Sequence, residues 1–262
     1  MMAENSITLS LAAVDILSEA LGTNARLFPF QIPSLGELVE DRMRIGEAVV
    51  RDLERRGLAR RGNLVPDVER ALRLLSEYQV SIAVLGTVEQ NRTVYARAFA
   101  DGRAAVLVLK QDQTMRFDLI RPEALVRATV NLLPALAPGP GQSSTITQPA
   151  GAEERRRPAE ANEPHRMFNE VRPQRTSADS QRRAAESILR RPRTGTGYFI
   201  VSGRGRQGNE REAPGLSWID TDSGRYLVQV RDGKDGQTFG TFAPADNARL
   251  QRQLGELVQL VR

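Results

Sequence analysis

The chain carries the same order of secondary-structure patterns twice. In the first stretch, four short segments with two-residue periodicity, QVSIAVLG, TVYARAFA, AAVLVLKQ and TMRFDLI, precede Pro122 and a helical pattern. In the second, GYFIVSG, LSWIDT, GRYLVQVRD and GQTFGTFA precede Pro244, which is predicted to open the final helix. The links within the first stretch are too short for a crossover, so its segments must pair as antiparallel hairpins. The duplication predicts an α+β fold with two pseudo-symmetric halves, each an antiparallel four-stranded sheet followed by a helix.

Extra N-terminal helices precede the first repeat. The run ITLS is typical of a short strand, and SLAAVDILSEALG is typical of a helix that ends at Gly22. Ser34 and Glu37 have the spacing of a capping box, which predicts that a second helix starts there and ends at Gly57. A third amphipathic helix is predicted to start at Pro66.

The composition changes between the two repeats. Residues 134–180 are dominated by Pro, Gly, Ser, Glu and Arg without apolar periodicity, and burial in such a segment cannot offset its ordering entropy. We expect a largely disordered linker there, with a short edge strand at residues 143–149. The predicted division is an N-terminal α+β half (1–133), the linker (134–180) and a C-terminal α+β half (181–262) that repeats residues 79–133. We expect a helix from about Ala178 and packing of the two halves as one domain.

A glycine-rich run, GYFIVSGRGRQGNERE, contains the spacing G-x-G-x-x-G at Gly203, Gly205 and Gly208. A dinucleotide loop with this spacing must lead directly into a helix, whose N-terminal amides meet the pyrophosphate. Here Pro214 and Gly215 interrupt any helix, and the next periodic segment is a strand. The run is therefore interpreted as a loop between two strands, and no nucleotide cofactor is expected.

Residues for catalysis or metal binding are scarce. The chain has no cysteine, and its one histidine, His165, lies in the predicted linker, so no Ser-His-Asp triad or multi-histidine metal site can form. The run DTDSG at residues 220–224 resembles the start of a calcium loop, but Arg231 occupies the position of the required glutamate. We predict that the protein is not an enzyme and has no metal or other cofactor.

The formal charge of +5 is concentrated in one region. Residues 181–211 hold eight arginines, at positions 182, 183, 190, 191, 193, 204, 206 and 211, against Glu186 and Glu210. A patch of this kind is either a solvated surface or a contact for nucleic acid or an acidic partner. A nucleic-acid-binding regulator that uses the patch is the alternative function. A helix-turn-helix at residues 51–75 is a second possible DNA-binding element. It is less favoured, because no basic stripe continues along its second helix.

No signal for export or membrane insertion is present in the sequence. The N-terminal run MMAENSITLSLAAVDILSEALG carries Glu4 and Asp15 and lacks a basic n-region. No apolar run approaches the roughly 20 residues that a membrane-spanning helix needs. We therefore expect a cytoplasmic protein.

Several of these phrases together resemble the EspG family of ESX (type VII) secretion-associated proteins of actinobacteria. They are SITLSLAAVDILSEALG, the run from IAVLGTVEQNRTVYARAFADG to LVRATVNLLP, and the C-terminal run from GYFIVSG to LGEL. The resemblance implies a cytosolic chaperone that binds the apolar tip of a helical secretion substrate, PE/PPE-like or WXG-type, and keeps it soluble for export. It implies no catalytic, cofactor-binding or metal-binding residue and no nucleic-acid partner.

The resemblance also suggests where the partner binds. In the family, the partner meets the loop between the second and third strands of the first sheet and the C-terminal helical part. In this chain that loop is short and consists of Ala100, Asp101, Gly102 and Arg103. The loop at residues 204–211, which we call the basic loop, is the second predicted contact, and its candidate residues are Arg204, Arg206 and Arg211. Exposed positions beside the final helix are the third.

Overall fold

The computed structural model describes residues 6–89, 91–148, 177–205, 208–232 and 237–262. Within these residues the helices are α1 (Leu11–Ala20), α2 (Val39–Arg55), α3 (Pro66–Glu77), α4 (Leu125–Val130, preceded by a 3-10 turn at Pro122–Ala124), α5 (Ser177–Leu189) and α6 (Asn247–Val261). The strands are β1 (Ser6–Ser10), β2 (Ala59–Arg60), β3 (Asn63–Leu64), β4 (Val80–Val88), β5 (Arg92–Ala100), β6 (Ala105–Gln111), β7 (Thr114–Ile120), β8 (Ser144–Gln148), β9 (Arg193–Arg204), β10 (Glu210–Glu212), β11 (Leu216–Thr221), β12 (Gly224–Asp232) and β13 (Thr238–Pro244).

One antiparallel sheet runs through both halves of the fold. Its strand order is β1-β7-β6-β5-β4-β9-β11-β12-β13-β8, with β10 also paired to β9. The order is symmetric about the centre, where β4 and β9 pair from Val80 opposite Gly203 to Thr87 opposite Thr196. The predicted α+β class with two pseudo-symmetric halves is confirmed. The two four-stranded units are joined edge to edge in one sheet.

The helices cover the two faces of the sheet differently. We call the face under α4 and α6 face A, and its core contains residues of both helices, including Leu125 and Leu254. On face B, α1, α2 and α3 pack over the β1 end of the sheet, with Phe99 and Phe117 beneath them. Helix α5 covers the other end of face B, where Ile188 packs with residues of β11, β12 and β13. The two-fold pattern of the sequence thus places α4 and α6 side by side.

The central joint depends on two glycines. Gly86 and Gly197 lie opposite each other in β4 and β9, and the buried indole of Trp218 lies over both. A Cβ atom on Gly197 would lie 2.2 Å from the Trp218 ring and 2.5 Å from the carbonyl oxygen of Leu85. Only glycine fits at this position without movement of the indole or the neighbouring strand.

The structure corrects two predicted helix starts. The second helix does not begin at a capping box of Ser34 and Glu37, because α2 starts at Val39 and its N-cap Leu38 makes no side-chain bond. The segment before α2 is instead attached to α1, because the backbone N–H of Leu35 donates to the carboxylate of Asp15. The Pro244 prediction is also wrong, because Pro244 ends β13 and Asp246 caps α6 instead.

The segment after α4 is part of the described fold up to residue 148. Pro138 forms a β-bridge with Arg225, and the N–H of Gly139 donates to the carbonyl oxygen of Arg225 at 2.9 Å. The edge strand expected at residues 143–149 is found as β8, which pairs with β13. Residues 149–176 of the predicted linker, including His165, lie outside the described residues, and its last four residues, 177–180, belong to α5. The division into 1–133, 134–180 and 181–262 stays a prediction.

The predicted helix-turn-helix segment contains a small hairpin. Strands β2 and β3 pair with each other between α2 and α3 and do not join the large sheet. Helices α2 and α3 instead bury their apolar faces against the sheet through Leu53, Leu72 and Leu75. The two helices therefore cover face B, which is a structural role and does not require DNA.

Candidate functional site

The turn at residues 100–103 is a tight and well-satisfied hairpin. Ala100 is the buried last residue of β5, and its carbonyl oxygen accepts from the N–H of Gln79 at 2.8 Å. The carboxylate of Asp101 accepts from the N–H groups of Arg103 and Ala104, each at 2.8 Å. Gly102, with φ of +89°, provides the left-handed residue that the turn requires. The exposed guanidinium of Arg103 is therefore carried on a rigid turn.

The arginines of the basic loop lie in different settings. Arg204 ends β9 rather than projecting from the loop, and its guanidinium lies 4.4 Å from the centre of the Tyr78 ring. Arg204 also donates to the carbonyl oxygen of Ser76, near the C-terminus of α3. Arg211 is an exposed residue of β10, opposite Gly203. Arg206 lies outside the described residues.

Tyr78 is the centre of a polar cluster that links the two halves. Its hydroxyl donates to Glu210 at 2.8 Å and accepts from Arg97 at 3.2 Å. Burial raises the pKa of the Tyr78 hydroxyl, and its hydrogen bond to Glu210 raises it further. Burial lowers the pKa of Arg97, whose side chain also donates to Ser81 at 2.8 Å and lies 3.8 Å from Glu210. The cluster fixes β10 to β5 and to the C-cap of α3.

A groove beside this cluster brings the three predicted surfaces together. The groove has a volume of about 930 Å³. We call it the Tyr78 groove, and it is lined by Ser76, Glu77, Tyr78, Gln79, Val80, Ala100, Gly102, Pro122, Glu123, Leu125, Val126, Arg204, Gly205, Gly208, Gly255, Val258, Gln259 and Arg262. Ala100 and Gly102 come from the first predicted loop, Arg204 from the second, and Val258 and Arg262 from the final helix and the residue after it. The structure thus joins elements that are far apart in sequence.

The lining of the Tyr78 groove suits binding better than acid–base or metal chemistry. Its lining includes apolar residues, such as Val126 and Val258, and the charged residues Glu77, Glu123 and Arg262. Among the residues that the structure describes, no group of three or more His, Cys, Asp or Glu side chains could hold a metal ion. What the arrangement can do is bury an apolar surface and orient it with charges at the rim.

The glycine-rich run has a structural explanation in this setting. Gly203 lies in β9, where a Cβ atom would lie 2.0 Å from the carbonyl oxygen of Val261 in α6. After Gly208 the chain enters β10 and not a helix, so no helix N-terminus is present at this place to receive a pyrophosphate. The resemblance of residues 220–224 to a calcium loop is explained by the turn between β11 and β12, where Thr221 pairs with Gly224.

Sequence reasoning missed Tyr78, Arg97 and Glu210. Tyr78 and Glu210 are 132 residues apart, so no local spacing connects them. The available signal was weak, namely an arginine at position 97 within an otherwise apolar strand pattern. Arg97 is buried, and a buried arginine requires partners, which would have suggested a polar cluster at this depth.

Comparisons with known proteins give a consistent result. The model of the EspG family matches residues 10–256. No curated protein matches the chain. The fold is similar to that of the Mycobacterium tuberculosis type VII secretion system chaperone EspG5, solved in complex with a PE25–PPE41 dimer. The TM-score is 0.60 and the identity 11%, with 98% of this chain and 97% of that chain covered. None of the described helices is long and apolar enough to cross a membrane.

Proposed function

The chain belongs to the EspG family, and on this premise we propose that it is a chaperone of type VII secretion. It binds a helical substrate protein of the PE/PPE or WXG type and keeps that protein soluble until export. The likeness to EspG5, whose solved complex contains a PE25–PPE41 dimer, supports this choice of substrate. Binding and release of such a substrate need no catalytic group, so the proposed chaperone acts as a binding protein and not as an enzyme. Its proposed place of action, before export of the substrate, is the cytoplasm.

The observation that carries the proposal is the convergence of three elements at the Tyr78 groove. The turn at residues 100–103, the end of β9 and the end of α6 line one groove with apolar and charged side chains. Helical proteins with an exposed apolar tip need a concave apolar surface of this kind to avoid self-association. The polar cluster around Tyr78 holds one wall of the groove in place, which reduces the ordering cost of binding.

The alternative function, nucleic-acid binding through residues 181–211, receives less support from the described arginines. Arg182 pairs with Glu186 at 3.0 Å, and Arg191 donates to Ser223 at 2.5 Å. Arg204 is held by Tyr78 and by the carbonyl of Ser76. These groups are engaged within the protein and do not form one continuous row of free cations for a phosphate backbone.

The test is co-expression with a PE/PPE-type or WXG-type protein encoded in the same genome. We expect a soluble complex in size-exclusion chromatography, whereas the substrate alone aggregates. Val126→Asp, which places a charge on the groove wall, should weaken the complex about 10-fold or more, because apolar contacts at the centre of an interface contribute most to affinity. The control is Val50→Asp, at another half-buried valine, on α2.

Two results would contradict the proposal. One is that every candidate substrate is equally soluble and unbound with or without this protein. The other is that a complex forms but Val126→Asp and Val50→Asp weaken it equally, which would move the contact away from the Tyr78 groove. Thermal unfolding of both variants checks that each remains folded.

A further inference from the structure

A second groove continues the Tyr78 groove along face A. It lies between α4 and α6 and has a volume of about 840 Å³. Glu123, Val126 and Gly255 line both grooves, so the two are continuous. We call this second part the α4/α6 groove. A partner seated in the Tyr78 groove can therefore extend along the two helices.

Three of the residues that line the α4/α6 groove are small. Ala124 lies before α4, while Ala248 and Gly255 lie on α6. A Cβ atom added to Gly255 would meet nothing within 4 Å. A glycine inside a helix is destabilising relative to alanine, and packing within this chain does not require one at position 255. Small residues at this place permit close approach of the backbone of another helix.

The charges around the α4/α6 groove are unbalanced. Arg121, Arg127 and Arg252 line it together with one acidic residue, Glu123, and all four are exposed. Within the described part of the chain, none of these three arginines forms an ion pair. Many arginines elsewhere on the surface do, such as Arg51 with Glu47 at 3.5 Å. The three guanidinium groups are thus available to an acidic partner.

From the small-residue lining and the unpaired arginines, we propose that the α4/α6 groove binds an acidic amphipathic helix of the secretion substrate. This proposal rests on the proposed function and specifies its substrate by charge. The apolar stripe of the helix packs against Ala124, Val126 and Gly255, and its flanking carboxylates meet Arg121, Arg127 and Arg252. A nucleic acid fits less well, because Glu123 and the small or apolar residues Ala124, Val126, Ala248 and Gly255 lie among the arginines, where a phosphate backbone would need cations.

The experiment uses two helical peptides of about 20 residues with the same Leu/Ala face and either Glu or Lys on the polar face. Binding to the full-length protein is measured by fluorescence anisotropy at 50 and 150 mM salt. We expect the acidic peptide to bind about 10-fold or more tightly than the basic one, with the difference decreasing at higher salt. A short DNA duplex serves as the third probe.

Two pairs of variants locate the binding. Reversal of Arg121, Arg127 and Arg252 to Glu should weaken acidic-peptide binding about 10-fold or more, while reversal of Arg44, Arg51 and Arg70 makes the same change of net charge outside the groove. Gly255→Phe should abolish binding by filling the groove. Gly215→Phe is its control, because a Cβ atom on Gly215 also meets nothing within 4 Å.

Each outcome decides the proposal. Equal binding of the two peptides, no binding of either, or equal effects of the two arginine triples would overturn it. DNA binding that exceeds peptide binding at 150 mM salt would assign the groove to nucleic acid instead. If the co-expressed substrate is bound normally by the Arg121, Arg127 and Arg252 triple variant and by Gly255→Phe, the chaperone function stands and the acidic-helix proposal fails.

Discussion

Asp220 and Arg225 form an ion pair in which both side chains are almost completely buried, with 1% and 0% of their side-chain surface exposed. The guanidinium donates to the two carboxylate oxygens at 2.6 and 2.9 Å. It also donates to the carbonyl oxygen of Pro134 at 3.0 Å and to the side chain of Asn247. One arginine thus connects β11, β12, the segment after α4 and the start of α6. We predict that loss of its counter-charge is among the most destabilising single changes in the chain.

The magnitude follows from the burial of the charge that remains. Asp220→Asn keeps the shape and one acceptor oxygen but leaves the Arg225 cation without a carboxylate. Removing one partner of a buried pair costs about 3–5 kcal/mol. We expect a loss near 3 kcal/mol, since Pro134 and Asn247 still accept hydrogen bonds from the guanidinium. For a protein of this size that corresponds to a decrease in Tm of roughly 6–12 °C.

The assay is urea unfolding followed by circular dichroism, with three variants beside the wild type. Glu47→Gln is the matched control, because its ion pair with Arg51 has side chains that are 66% and 69% exposed and should contribute at most about 1 kcal/mol. Asp220→Asn combined with Arg225→Met removes the uncompensated charge and should be more stable than Asp220→Asn alone. A loss below about 1 kcal/mol for Asp220→Asn, or a double variant less stable than the single one, would refute the reasoning.

Two further predictions concern stability. Gly197→Ala should cost about 2 kcal/mol or more in urea unfolding, because its Cβ atom would lie 2.2 Å from the Trp218 ring; a change below about 0.5 kcal/mol would contradict the close packing. For Asp15, burial alone would raise the pKa, but hydrogen bonds from Arg42 and the N–H of Leu35 lower it below 3.8. The stabilisation by Asp15 is therefore present above pH 3.8 and lost as the pH falls through its folded pKa. Asp15→Asn should be less stable than the wild type at pH 7, and the difference should decrease in acid.

The strand pattern was predictable from the sequence because it depends on local alternation. The segments expected in the first half agree with β4 to β7 to within two residues at each end. Pro244 was misassigned because proline suits both the first turn of a helix and the end of a strand, and only the pairing with Tyr226 decides between them. The start of α2 was misassigned because the segment before it is held by a distant residue, with the N–H of Leu35 donating to Asp15, and no side chain caps α2 at Leu38.

The site was less accessible to sequence reasoning than the fold. The sequence predicts the turn at residues 100–103 and the basic loop as contacts. They meet because β4 pairs with β9, and no local signal in the sequence encodes that pairing. Arg204 was interpreted as a loop charge, whereas it lies against Tyr78. The assignment of Ala100, Asp101, Gly102, Arg103, Arg204, Arg206 and Arg211 to partner binding stays a prediction. Around the α4/α6 groove, Arg121 and Arg127 come from the start and the interior of one short helical segment and Arg252 from α6, so the sequence does not show that they lie together.

The pairing of β4 with β9 also means that the sheet cannot be completed until late in synthesis on the ribosome. All strands that neighbour β5, β6 and β7 are synthesised early, but β4 must wait for β9, which follows after residues 134–192. At about 5–20 residues per second this interval lasts several seconds. During that time the emerging first half presents β4 as an open edge, with unpaired N–H and C=O groups along its length. A protein proposed to shield others from aggregation is thus itself exposed to that hazard during its own synthesis.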